Sequence, residues 1–396
     1  MLCQCPNKTD LNQWNILPIP NLLELAKALI RLPTINPPGN EAQAVDLLLP
    51  LLEGAGFECM RVHHWDHSES LIAKLGPGPY LCMTGHLDVV PLGKAPWTKE
   101  PFAGQVEGDQ LFGRGASDMK GGIAALVTSA IEAAQTHKDQ ANLLLILTAF
   151  EETGCLGAQD LLEKGLLKDS VTRILVCEPT SNRVDLGHKG SLWLEATCLG
   201  VTAHGSMPHL GVNALYKACE LILGLKNHRF AVLPHPLLGG PTLNIGTLKA
   251  GLNVNSVPDR ASFTIDIRLV PPMVPEQVFE EIARVLGPET ELKIIDQSAQ
   301  VDADPLEPWT ASVLKRVFEV TKEDQKPYKG GVYVTDASVL WPAFGCPPCV
   351  VLGPGELAQA HKTDEYCMIS RLHQAVEIYR LILDDHALAN PPIKLC

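Results

Sequence analysis

Charge is scarce in this chain: only 19% of its 396 residues are Asp, Glu, Lys or Arg, against 46% hydrophobic ones. A chain of that length and apolar content is globular, buries large cores and is expected to form two domains. It also lacks any apolar run approaching the roughly 18 uninterrupted residues of a transmembrane helix, so no membrane partner is expected. Basic residues are outnumbered, 32 Lys and Arg against 45 Asp and Glu, for a net charge of -13. That balance argues against nucleic acid or an anionic membrane as partner, since both call for a basic patch. The opening Met1-Leu2-Cys3-Gln4-Cys5-Pro6 has no basic region followed by an apolar core, so no secretory leader is expected. The twelve cysteines lack the regular spacing of a disulfide framework and read as reduced thiols of a cytoplasmic protein. No nucleotide-binding fingerprint occurs in a strand-turn-helix context, which leaves no organic cofactor site.

What is present is an ordered set of imidazole and carboxylate groups, each just beyond an apolar run. They lie in Thr84-Gly85-His86-Leu87-Asp88, in Gly113-Arg114-Gly115-Ala116-Ser117-Asp118-Met119-Lys120, in Glu151-Glu152-Thr153-Gly154 and in Cys177-Glu178-Pro179, with His361 far downstream in Ala360-His361-Lys362. Imidazole with carboxylate suits zinc or a neighbouring divalent ion; cobalt and manganese are admissible. Five ligands, His86, Asp118, Glu152, Glu178 and His361, are too many for one four-coordinate catalytic ion. They suit two Zn2+ ions bridged by one carboxylate and one water.

Pro79 to Met83, Asn142 to Phe150 and Arg173 to Cys177 are continuous apolar runs, the pattern of strands buried on both faces of an α/β sheet. Sites of open α/β sheets form beyond the carboxyl ends of their strands, and each run leads to a ligand. Lys120 to Ala134 reads as a packed helix, with Asp118 just before its N-terminus. Consecutive residues at a strand end point apart, so Glu151 and Glu152 need different tasks. Glu152 is assigned as ligand and Glu151 as general base, although the two roles can be exchanged. Asp88 is expected to accept the second N–H of His86.

These motifs resemble the dinuclear-zinc peptidases and amidohydrolases that include acetylornithine deacetylase, succinyl-diaminopimelate desuccinylase, aminoacylase and glutamate carboxypeptidase. The resemblance covers nearly the whole chain. It implies the same ligand set, with Asp118 bridging, Glu151 as base, Asp88 behind His86 and a cis peptide at Asp118-Met119. The implied architecture is a mixed-sheet α/β catalytic domain, residues 1–184 and 299–396, interrupted by an α+β lid over 185–298.

Within the lid, strand-like and helix-like segments follow in the order βαββαβ: 190–200, 211–226, 242–250, 261–269, 275–286 and 291–295. That order suggests a ferredoxin-like sandwich. Its exposed edge invites pairing with a second copy, and the resemblance likewise implies a homodimer through the lid. It further implies that His204, in Ala203-His204-Gly205-Ser206, reaches the partner subunit's active site and stabilises an oxyanion. Asn255 and Arg268 resemble substrate contacts, the Arg clamping a carboxylate. Gly330-Gly331 resembles a turn whose amides hold the same group, while Tyr333, Thr335 and Asp336 are expected to shape the pocket.

Three features are set aside. His63-His64-Trp65-Asp66-His67 reads as a surface loop. Cys346-Pro347-Pro348-Cys349 reads as a strand-entry turn. Gly154-Cys155-Leu156-Gly157 reads as the start of a packed helix. The expected activity is hydrolysis of the amide bond in a small N-acyl amino acid, with acetyl first and succinyl second among acyl groups. A dipeptidase or glutamate-type carboxypeptidase is the alternative, and a catalytically silent binding protein on the same fold the remote one.

Overall fold

The computed structural model describes residues 21–389 apart from 66, 138, 139 and 327. A mixed sheet of nine strands forms its centre, in the order β1 (Glu58–His63), β2 (Glu69–Leu75), β6 (Leu143–Thr148), β3 (Tyr80–His86), β7 (Val171–Val176), β15 (Cys349–Val351), β8 (Asp185–His188) and β13 (Val301–Asp302), with β14 (Lys329–Gly331) also on β8. The central strands β6, β3, β7 and β15 run parallel to one another. Every residue of β3 and β6 is buried, which is why their apolar runs are continuous rather than alternating.

Helices cover both faces. On one, α1 (Leu22–Ile30), α2 (Ala42–Gly54), α3 (Gly121–His137), α7 (Pro308–Thr321) and α9 (Ile369–Ala389) share a single apolar core with the sheet. On the other lie α4 (Leu156–Glu163) and α8 (Ala337–Ala343). The Ala-rich α3 sits against both the sheet and α9. Gly122 permits that approach, because a Cβ there would meet the Cys177 carbonyl oxygen at 2.3 Å. A small sheet of β4 (Gln105–Glu107), β5 (Gln110–Phe112) and β16 (Tyr366–Met368) flanks the site. Among the described residues, no helix is long and apolar enough to cross a membrane.

The second sheet has the order β10 (Thr242–Ala250), β11 (Arg260–Leu269), β9 (Gly190–Leu199), β12 (Thr290–Ser298), all antiparallel. With α5 (Ala214–Lys226) and α6 (Pro275–Leu286) it has the strand order of a ferredoxin-like sandwich. Its core alternates: β11 buries Phe263, Ile265 and Ile267, and α6 adds Val278, Ile282 and Leu286 at a four-residue spacing.

One expectation shifts. The boundary at residue 185 assigned β8 to the insertion, yet β8 is hydrogen-bonded into the large sheet. Gly187 (φ 84) lets β13 close on it, since a Cβ there would lie 2.0 Å from the Val301 carbonyl oxygen. Tyr366 to Met368 pair with β5, so α9 starts only at Ile369.

Candidate metal centre

Parallel neighbours end at the same edge of a sheet, so β3, β6 and β7 deliver their next residues to one place. His86 is the last residue of β3, Glu151 and Glu152 follow β6, and Glu178 follows β7. Asp118 precedes α3, and His361 lies on the loop beyond β15 in a left-handed conformation (φ 63). The Asp118-Met119 peptide is cis, as the resemblance implied.

The five expected ligands converge. His86 Nε2 lies 3.2 Å from Asp118 Oδ1 and 3.8 Å from Glu178 Oε1. His361 Nε2 lies 3.4 Å from Asp118 Oδ2 and 3.1 Å from Glu152 Oε2. The two oxygens of Asp118 therefore face different imidazoles. One atom each of His86, Asp118 and Glu152 falls within 4.8 Å of the others, as does one each of His86, Glu151 and Glu178. The second grouping would make Glu151 a ligand. The contacts of Asp118, by contrast, bring in both histidines.

Asp88 differs from expectation. Its backbone carbonyl, 3.0 Å from His86 Nδ1, is the closer acceptor, and its carboxylate stands 3.5 Å away. That carboxylate instead accepts the backbone N–H groups of Glu151 (3.1 Å) and Glu152 (3.2 Å) and the Asn36 amide (2.9 Å). Asp88 thus ties the end of β3 to the turn carrying both glutamates.

The electrostatics are those of an anionic cluster in a desolvated place. Burial, reinforced by neighbouring carboxylates, holds the Glu151 and Glu178 carboxyls well above the usual range; Glu152 is raised for the same reasons. Burial works against ionised Asp118 as well, but hydrogen bonds from His361 and His86 keep it well below the ordinary value. Donating to the Asp118 and Glu152 carboxylates pushes the His361 imidazole up to about 10. The residues fit divalent metal: Glu152 Oε1 is buried without a hydrogen-bond partner, and the donors are imidazole and carboxylate only.

A cavity of about 310 Å³ opens here, lined by Asp118, Glu151, Glu152, Glu178, Tyr333 and His361 among others. His204, Asn255, Arg268, Gly330 and Gly331 do not line it. His204 is exposed on the second sheet's loops, where it bridges to Ser256 beside Asn255. Arg268 pairs with Asp266 at 3.0 Å. Gly330 and Gly331 form β14 and lead directly to Tyr333. Of the other pocket candidates, Thr335 contacts His188 and Asp336 accepts a hydrogen bond from Thr148 behind the site.

Sequence reasoning missed Glu365. Its buried carboxylate accepts Arg114 Nη1 (2.6 Å) and the backbone N–H groups of Gly115 (3.0 Å), Ser117 (2.8 Å) and Asp118 (3.0 Å). It shapes the turn that presents Asp118. Only Arg114, a charged residue between two glycines, hinted that a buried acid was needed.

Comparison with known proteins shows the family and the fold. The family model described as "Peptidase family M20/M25/M40" matches residues 82–385. A protein of Staphylococcus epidermidis named probable succinyl-diaminopimelate desuccinylase is 30% identical, the alignment covering 90% of this chain and 96% of that protein. The structure of an M20 family metallo-carboxypeptidase from Sulfolobus solfataricus superposes with a TM-score of 0.78 at 20% identity, covering 93% of this chain and all of that one. A Bacillus subtilis protein described as a dinuclear metal binding peptidase of the same family has a TM-score of 0.69 at 16% identity, covering 94% of this chain and 98% of its own.

Proposed function

The chain belongs to peptidase family M20/M25/M40, and we propose that it hydrolyses the amide bond of a small N-acyl amino acid, N-succinyl-diaminopimelate being the first substrate to test. The observation that carries this reading is the division of Asp118 between His86 and His361. It supports a dinuclear centre that Asp118 would share, with His86 and Glu178 available to hold one ion and His361 and Glu152 the other. Zinc is the ion we assign from the donor set, with cobalt or manganese as admissible substitutes. When bound, such ions polarise an amide carbonyl and make water more acidic.

The chain's own groups do the rest. Glu151 is the general base: burial raises its proton affinity, which suits a carboxylate that takes a proton from water and passes it to the leaving nitrogen. Asp88 orients it through the two backbone amides of the glutamate pair. His204 stands outside this cavity, which favours a role in the partner subunit's site, where it would donate to the developing oxyanion beside Asn255. Arg268 would exchange Asp266 for a substrate carboxylate, and the backbone of Gly330 and Gly331 would hold the same group.

Residues 190–298 are assigned as the lid and as the dimer surface. Leu252 and Val254 are fully exposed there, and Leu210 and Tyr216 are 63% and 67% exposed, which supports a covered face in a dimer. Nine described cysteines are free thiols, which supports a cytoplasmic location. The relatives' names put succinyl ahead of acetyl, the reverse of the order drawn from sequence motifs.

The test is hydrolysis by the zinc-reconstituted protein of N-succinyl-diaminopimelate, N-acetyl amino acids and dipeptides. Turnover of an N-acyl class supports the proposal and names the acyl group. Cleavage of dipeptides alone moves the protein to the dipeptidases, and no turnover of any substrate overturns the hydrolase reading.

A further inference from the structure

The histidine-rich segment between β1 and β2 is not simply the surface loop that its polarity suggests. His63 and His67 are exposed, but the His64 ring is wholly enclosed. Its Nδ1 lies 2.5 Å from Asp160 Oδ2 and its Nε2 lies 2.7 Å from Ser70 Oγ. Ser70, itself fully buried, also accepts the backbone N–H of Ala149 at 3.0 Å.

One proton arrangement satisfies every partner. With Ser70 Oγ accepting from Ala149, its single proton goes to His64 Nε2, and the neutral imidazole then donates Nδ1–H to the Asp160 carboxylate. The Lys164 ammonium anchors the far end, on Asp160 and on the His63 carbonyl. From Ala149 to Asp160 the donors point the same way, so each bond polarises the next, while Lys164 donates to Asp160 from the opposite side. The order Ser-His-Asp is that of a nucleophilic triad, but no substrate reaches a serine without exposed surface.

The two ends of this relay bracket the glutamate pair. Ala149 lies two residues before Glu151, and Asp160 sits on α4, the helix that leaves the turn. Between them Phe150 has φ 57, a left-handed conformation uncommon for a residue with a bulky side chain. The Trp65 ring meets Phe150 edge to face at 5.2 Å, so the same segment also braces that residue.

We propose that His64 is a positioning residue for the Glu151–Glu152 turn: through Ser70 it holds the Ala149 amide, through Asp160 it holds α4, and together these aim Glu151. This rests on the assignment of Glu151 as base in an amidohydrolase. The test uses the full-length protein as wild type, Ser70→Ala, Ser70→Thr and His64→Gln, with two readouts. Hydrogen exchange of the metal-free protein is expected to rise about tenfold or more over residues 149–153 in Ser70→Ala and His64→Gln, with 143–147 unchanged, and to return toward wild type in Ser70→Thr. With wild-type metal content, kcat is expected to fall about 10- to 100-fold at unchanged KM in the first two variants and recover in the third, the size of effect a small misplacement causes. Unchanged exchange over 149–153 in both His64→Gln and Ser70→Ala overturns the proposal, as does raised exchange with wild-type kcat. Should the wild type itself turn over no amide, the amidohydrolase reading fails, and with it the task assigned to the relay. The exchange pattern then still shows whether the turn is braced.

Discussion

The carboxyl end of the large sheet and the four-stranded sheet are built on opposite terms. At the first, buried carboxylates are held by donors: Asp88 by the glutamate amides, Asp118 by two histidines, Glu365 by Arg114 and three backbone N–H groups. At the second, the core is apolar and alternating, while large hydrophobic side chains such as Leu252 and Val254 stand in solvent. A buried polar cluster is intolerant, because removing one partner strands another at a desolvation cost of roughly 1–3 kcal/mol. An exposed apolar surface is indifferent until something covers it. The contrast separates a cluster whose groups depend on one another from a surface that can change without disturbing its core.

The largest effect that would sharpen this contrast is Glu151→Gln, which keeps shape and removes the base. It is expected to lower kcat by about 10²- to 10⁴-fold, with metal content and circular dichroism unchanged. Retained turnover would transfer the base role, Glu152 being the other candidate.

His204→Ala tests whether the two regions meet in function. A lost oxyanion donor lowers kcat about 10²- to 10³-fold, and mixing this variant with Glu151→Gln should restore part of the activity if the histidine serves the partner subunit. Unchanged kcat would confine the second sheet to contact alone.

Acid should find the large-sheet unit through His188 and His386. Burial lowers both to about 4 from an ordinary 6.5, with Arg173 adding to the effect at His386. Below pH 6.5 the unfolded chain takes up protons that the folded one refuses, so stability is full above that pH and falls toward pH 4. The loss is about 3 kcal/mol for each histidine. Urea midpoints from pH 7.5 down to 4 measure it, and replacing both histidines by glutamine should flatten the profile.

The smallest effect belongs to the exposed hairpin. Leu252→Ala is expected to change the stability of the dissociated chain by less than about 0.5 kcal/mol, because a residue in open solvent makes few contacts to lose. Its consequence should appear in sedimentation as a weakened dimer, and an unaltered association would move the dimer surface elsewhere.

Much of the site was legible because β3, β6 and β7 are buried on both faces. Continuous apolar runs mark such strands, and a titratable residue just past each of them reads as a candidate ligand. The elements of the four-stranded sheet and its helices were legible for the complementary reason, an alternating β11 and an amphipathic α6. The supports were not. Glu365 is one acid in an ordinary stretch, and nothing nearby reveals that its partners lie some 250 positions earlier. His64 looked like a surface residue because its neighbours are, and its burial comes from Asp160 and Ser70 closing around the ring.

The sequence by itself determined which residue types could meet a divalent cation and on which strand ends they would arrive, since periodicity and apolar runs are local properties of the chain. Only the tertiary structure decided that Asp118 would face two imidazoles, that Asp88 would meet the His86 ring through its carbonyl and the glutamate amides through its carboxylate, and that a buried histidine would stand behind the glutamate turn. Those outcomes depend on which distant polar groups find each other once water is excluded, and local pattern carries no record of that choice.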